Sequence, residues 1–211
     1  PEEKPSDGEN TKKSEDPDTC AANQGAGAPV DVISGAVYFS QTDAFIKGRR
    51  SGVSLTRSYN SGRAFRGKTG PFGRGWEWSL DKRLTVQGGL LLLSVGNGSP
   101  LEFQDFDMDG VWKPYAPLGE QSSIVETASG YQRQFHGGGV ENYNADGVLV
   151  SWQDRAGNST TFVHDAAGHL TSVAVPGGRT LTLVYDGDHI ISSAGPSGPI
   201  ARCVTRPNSN S

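Results

Sequence analysis

Asp105, Asp107 and Asp109 stand at alternate positions before Gly110. Acids at the first, third and fifth places of a loop can converge oxygen ligands on a hard cation such as calcium. Position twelve of such a loop would be Ala116 instead of a bidentate glutamate, and no helical pattern flanks it. The preferred reading is therefore a polar hairpin turn with Phe106 and Met108 packed inward, the metal loop being the weaker alternative; no cofactor is expected. Four histidines, His136, His164, His169 and His189, lack the spacing of a ligand set. Asp186 and Asp188 could form a pair of catalytic carboxylates, but sequence spacing does not fix the separation that glycoside hydrolysis needs. Ser197, in Gly195-Pro-Ser-Gly-Pro, lacks the glycine two residues on that a nucleophile elbow requires. No enzyme activity is expected.

Charge is unevenly spread. The chain of 211 residues has a formal net charge of −4, and residues 1–28 alone hold seven acids against three lysines, so the remainder is balanced. A neutral body argues against nucleic acid as the main partner, since that affinity comes mostly from neutralising phosphates. Within it, Lys47 to Arg83 carries ten basic residues against Glu77 and Asp81, interleaved with Phe72, Trp76 and Trp78. Phosphate contact is conceivable there; solvated strand faces, balanced by the acidic stretch from residue 84 onward, are the simpler reading. The longest apolar run is Leu90 to Leu93, so no membrane span is expected. The first nineteen residues contain no hydrophobic side chain and no initiator methionine, which points to a processed form or an internal fragment without a retained signal peptide. Cys20 and Cys203 fit no disulfide framework or metal spacing, and a pair between them stays open.

The elements that would position these groups are strands. Glycine, at 29 residues, is roughly twice average usage and joins 12 prolines without a collagen period. Such a chain folds as many short strands between tight turns. Residues 1–28 cannot bury enough apolar surface to offset ordering entropy and read as a disordered arm, and Asp16-Pro17 within them as linker composition. The run Val53-Ser-Leu-Thr-Arg-Ser-Tyr59 alternates, which places Val53, Leu55, Arg57 and Tyr59 on one face, so that Arg57 points inward and needs a partner. Further strands are expected at 76–86, 90–95, 100–105, 122–126, 131–135, 140–143 and 147–153. No segment carries a helical stripe.

An internal repeat is the strongest signal. Tyr143-Asn-Ala-Asp-Gly-Val-Leu149, His164-Asp-Ala-Ala-Gly-His-Leu170 and Tyr185-Asp-Gly-Asp-His-Ile-Ile191 recur at a spacing of 21 residues. The flanks agree: Thr161-Phe-Val-His164 corresponds to Thr182-Leu-Val-Tyr185. Each unit is a strand, a polar turn, a returning strand and a second glycine-rich turn such as Pro176-Gly177-Gly178. One such hairpin cannot bury its own face, so stacked copies must share a core.

These units resemble the YD repeats of Rhs proteins, which read Tyr-Asp, two residues, Gly, one residue, Leu. Asn144, His164 and His189 are departures from that pattern. Upstream, Gly27-Ala-Pro29-Val-Asp31-Val-Ile-Ser-Gly35, Leu55-Thr-Arg57-Ser-Tyr59-Asn-Ser61 and Gly70-Pro-Phe-Gly73-Arg-Gly75-Trp76 are similar to the domain that precedes the repeats in bacterial Rhs proteins. The resemblance covers about residues 25 to 195. It implies an all-β fold, a curved antiparallel sheet of short hairpins at the start of a hollow β-cocoon, with a disordered N-terminal arm at 1–28, a pre-repeat β domain at 29–135, repeat hairpins at 136–195 and a flexible tail at 196–211. It implies a non-catalytic role in a shell that sequesters a C-terminal toxin, as in type VI secretion effectors. The implied partners are the rest of the shell, its toxin domain and a secretion spike protein. The implied route is synthesis in the cytoplasm and delivery by a bacterial secretion system. About three repeats make only the beginning of a wall, whose last strand would be an unpaired edge. Integrity is expected to rest on Arg57, Tyr59, Trp76, Trp78, Tyr143, Leu149, Leu170, Tyr185 and Ile191. The alternative is a carbohydrate-binding or adhesion module, which would hold Trp112, Tyr115 or Trp152 exposed in a groove.

Overall fold

The computed structural model describes residue 30 and residues 35–49, 52–96, 100–117, 119–196 and 198–202. The expected arm, the Cys20 and Cys203 pairing and Ser197 lie outside them. The alternating stretch after residue 37 forms a hairpin, β1 (Tyr38–Lys47) and β2 (Gly52–Asn60), in which Arg57 opposes Gln41. Asn60 ends β2 and caps the short helix α1 (Ser61–Phe65), its side-chain oxygen accepting the Arg63 amide at 3.1 Å. Five residues give no stripe, and the helix buries none of them. A two-strand turn, β3 (Thr69–Gly70) and β4 (Gly73–Arg74), leads into β5 (Trp76–Trp78), which pairs with β2 to complete a three-stranded sheet.

The strand expected over 76–86 is broken. After Trp78 the chain turns, with the Asp81 amide bonded to the Trp78 carbonyl, and β6 (Arg83–Gln87) opens a different sheet. From there the chain meanders through β7 (Leu90–Ser94), β8 (Leu101–Gln104), β9 (Val111–Ala116), β10 (Ser122–Thr127), β11 (Gly130–Phe135) and β12 (Val140–Asn144). It continues as β13 (Leu149–Gln153), β14 (Ser159–His164), β15 (Leu170–Val175), β16 (Arg179–Asp186), β17 (His189–Gly195) and β18 (Gly198–Arg202). These strands form one 13-stranded antiparallel sheet in strict chain order. The sheet crosses 135/136, the expected domain boundary, without interruption, because β11 pairs with both β10 and β12. Strand β9 was not anticipated: Pro114 lies inside it, and proline demotes a run in any reading by strand propensity. Strand β18 lies within the stretch expected as a flexible tail.

The long sheet curls. Its first strand meets the turn between β12 and β13, with the Leu84 amide bonded to the Gly147 carbonyl (2.8 Å) and an isolated antiparallel bridge between Arg83 and Val148. The three-stranded sheet lies against the inner side of this curl. Ile46, Val53, Leu55 and Trp78 join Leu91, Leu93, Phe103, Ile124, Tyr143, Leu149 and Leu181 in one buried cluster. Hydrogen bonds tie the two sheets at three points among the described residues: Arg49 amide to Pro176 carbonyl, Arg179 Nη1 to Lys47 carbonyl (both 2.8 Å) and Ile190 amide to Pro71 carbonyl (2.9 Å). The alternation is clean in β7, where Leu91 and Leu93 are fully buried and Leu90 and Leu92 are half-buried. Each such leucine contributes roughly 1.5–3 kcal/mol by leaving water.

Candidate functional site

Arg57 finds its partner within its own sheet. The residue is 7% exposed, and its guanidinium donates from Nε and Nη2 to the two carboxylate oxygens of Asp43, at 2.5 and 2.7 Å. The rings of Phe72 and Trp76 each lie 5.2 Å from its central carbon. Tyr59 and Phe39 pack on Trp76 at 5.5 and 5.0 Å between centroids, and Phe72 packs edge-on against the fully buried Trp78. The four expected upstream residues therefore converge on one aromatic and ionic clamp, made by the strand period in β2 and β5. Part of the local basic charge is paired internally, for Arg63 pairs with Glu77 (2.7 Å) and Lys82 with Glu141.

Sequence reading missed a second polar centre on the inner face of the long sheet. Glu141, from β12, is 2% exposed and accepts from Lys82 Nζ on one oxygen. On the other it accepts from Arg133 Nη1 (3.1 Å) and the Tyr143 hydroxyl (2.8 Å). Arg133, from β11, also donates to Glu120 (3.0 Å) and Ser122 (2.8 Å), with the Phe135 ring 4.5 Å from its central carbon. Burial alone would push the Glu141 carboxyl up, but Lys82, Arg133 and the Tyr143 hydroxyl outweigh it and hold the group below the usual range. Glu120 is likewise held low against its burial, by Ser122 and Arg133. Burial, with the Glu141 charge beside it, pushes the Tyr143 phenol well up. Lys82 is thus brought from the sheet junction to the repeat, a sequence separation of 59 residues. The available signal was the period of two: Glu141 and Tyr143 share a face, so a buried Tyr143 implies a buried Glu141.

The repeat turns reveal why the family of units uses its polar residue. Asn144 Oδ1 accepts the amides two and four residues on (Asp146 and Val148), and Gly147 returns its amide to the Asn144 carbonyl. Asp165 repeats the pattern with Ala167, His169 and Gly168. Asp154 does the same with Ala156, Asn158 and Gly157, so a third copy sits at the opposite end of the strands, in a segment that lacks the Tyr-Asp signature. Asn serves as well as Asp because the bonds use one acceptor oxygen. Gly147, Gly157 and Gly168 sit at φ of +74, +83 and +85, the left-handed conformation that the fourth place requires.

The unit at residue 185 departs from this. Its turn has only Gly187 and Asp188 between the paired Asp186 and His189, one residue fewer on the returning side. Tyr143 opposes Leu149 and His164 opposes Leu170, but Tyr185 opposes Ile190. Ile190 consequently takes the core place (4% exposed), and Ile191, the residue expected there, is half-buried. Leu149, Leu170 and Tyr143 are buried, and Tyr185 is half-buried with its hydroxyl donating to the Leu170 carbonyl (3.0 Å).

The 105–110 segment is a turn, but Phe106 (55%) and Met108 (89%) are exposed instead of packed inward. Asp105 turns its carboxylate onto the amides of Asp109 and Gly110, while Lys113 pairs with Asp107 at 2.7 Å. With the carboxylates occupied along the loop, the turn is too tight to fold its apolar residues under it. No group of three histidine, cysteine or acidic residues able to hold a metal occurs among the described residues. Among the same residues, no helix is long and apolar enough to cross a membrane.

Residues 27–103 match the family model DUF6531, a domain of unknown function, and residues 143–180 match the RHS Repeat. No curated protein matches the chain.

Proposed function

Because the chain is a segment of an Rhs/YD-repeat protein, with a DUF6531 domain ahead of its RHS repeat, we propose that it starts the wall of a shell enclosing a toxic C-terminal domain. The observation that carries this reading is the unbroken 13-stranded sheet, in which each strand pairs with its chain neighbours and the same Asx–glycine turn recurs at both ends of the strands. A sheet built this way grows by adding hairpins, and β18, the last strand among the described residues, lies at the edge where the next one would add. In this reading the three-stranded sheet, braced internally by the Arg57 clamp and held on the inner side by the shared core and the Arg49, Arg179 and Ile190 bonds, closes the starting end. The residues proposed for integrity act through packing: Arg57, Tyr59, Trp76 and Trp78 in the clamp, and Tyr143, Leu149, Leu170 and Tyr185 in the wall. Secretion-system delivery, and contact with a spike protein, belong to the same reading.

The adhesion alternative needs aromatic side chains free to stack on sugar rings. Trp112 and Trp152 are half-buried against the core cluster, and of the three only Tyr115 is exposed. A glycan array without binding removes that alternative. The shell reading is tested by the coding sequence that follows Ser211 in the parent gene. Many further repeat units ahead of an unrelated domain are expected; an immediate stop codon would sink the reading.

A further inference from the structure

We propose that His169 is a proton-operated staple between neighbouring hairpins at one rim of the sheet, tightening that rim in acid and loosening it as pH rises. The ring bridges two turns. Nδ1 lies 3.2 Å from Asp165 Oδ2, in the β14–β15 turn, and Nε2 lies 3.0 Å from Asp188 Oδ1, in the β16–β17 turn. A neutral imidazole has one N–H and one lone pair, so it can donate to only one of two carboxylates and must present its lone pair to the other. The imidazolium donates to both and places a positive charge between two negative ones.

The surroundings are arranged for this role. The Tyr185 ring stacks on His169 at 4.7 Å and 15°, and its hydroxyl is anchored on the Leu170 carbonyl. Asp165 already spends Oδ1 on the amides of Ala167 and His169, which fixes Oδ2 toward the ring. Those amide bonds, first that of His169, hold the Asp165 carboxyl below its ordinary range, so it stays charged through the working span of the staple. The ladder between β15 and β16 covers Ser172 with Thr182 through Val175 with Arg179, and stops there. Toward this rim, residues 170–171 of β15 and 183–186 of β16 are not paired with each other in the ladder, and the His169 bridge with the Tyr185 hydroxyl spans the gap.

Other charges reach the neighbourhood. Arg83 approaches the turn at Gly168, and Asp81 acts on both Tyr185 and His164. Burial pushes the nearby His164 imidazole down, and Asp186 and His189 flank the Asp188 turn.

Hydrogen exchange of the full chain tests the staple, read at the amides of residues 169–171 and 183–187 after correction for intrinsic rates. Wild type is compared with His169→Gln and Asp188→Asn at about pH 5 and about pH 8. Loss of one charge-assisted bond is expected to leave wild type about ten-fold better protected than either variant at the lower pH, and within about two-fold at the higher. Asp188 is at a 90% exposed position, so its variant keeps the fold even where the histidine change perturbs the turn. Equal protection of wild type and both variants at the lower pH, or the same ratio at both pH values, would overturn the proposal.

Discussion

Replacing Glu141 by Gln should be among the most damaging single changes in the wall. The substitution keeps the shape and one acceptor oxygen but removes the charge shared by Lys82, Arg133 and Tyr143. Arg133 retains Glu120 and Ser122 as partners, and Lys82, with a side chain 26% exposed, can turn its ammonium toward water. Breaking a fully buried pair costs about 3–5 kcal/mol, and these two escape routes put the expected loss at about 3 kcal/mol. Urea denaturation of the full chain at neutral pH measures it, as a fall in midpoint at unchanged slope. Tyr143→Phe removes one bond to the same carboxylate and should cost about 1.5–3 kcal/mol. Removing both charges with Lys82→Met and Glu141→Leu should cost less than the sum of the single changes, because neither partner is left alone in the interior. A Glu141→Gln loss below about 0.5 kcal/mol would refute the reasoning, since a surface pair would behave that way.

Acid should destabilise the chain through two internally paired carboxylates. Glu141 and Glu120 are held below their ordinary values, so their contribution is present above about pH 4.3 and lost as pH falls through their lower folded values, which thermal melts from pH 6 to pH 2 would trace. Gly147→Ala should cost more than Gly157→Ala. Both glycines are left-handed, but an added Cβ would meet the Leu84 carbonyl oxygen at 2.2 Å at the first and open space at the second, so about 3 against about 1 kcal/mol is expected in parallel denaturation curves. Asn144→Asp, which installs the repeat residue, keeps both amide bonds and should change stability by less than about 0.5 kcal/mol. His164→Tyr should leave stability equal or raise it, and a large loss by calorimetry would give that histidine a private role.

The sequence carried local information well and global information poorly. Alternation placed Val53, Leu55, Arg57 and Tyr59 on one face because a strand with one buried side must alternate, and the repeat spacing located three turns. The break at 79–82 was hidden because WEWSLDKRLTV holds no glycine or proline to mark it. Ile190 was missed in favour of Ile191 because a fixed spacing of 21 conceals a turn shortened by one residue. The Asp154 turn was hidden because it keeps the polar residue and the glycine but not the tyrosine. The Glu141 centre draws on Lys82, Glu120, Ser122 and Arg133, and only the curl of the sheet brings Lys82 to the others.

Shell building is tested most directly by electron cryomicroscopy of the full-length parent protein. The expected map shows further hairpins continuing the sheet beyond β18 and density enclosed by the resulting wall. A map in which the sheet ends at β18, with that edge in solvent and nothing enclosed, would contradict it.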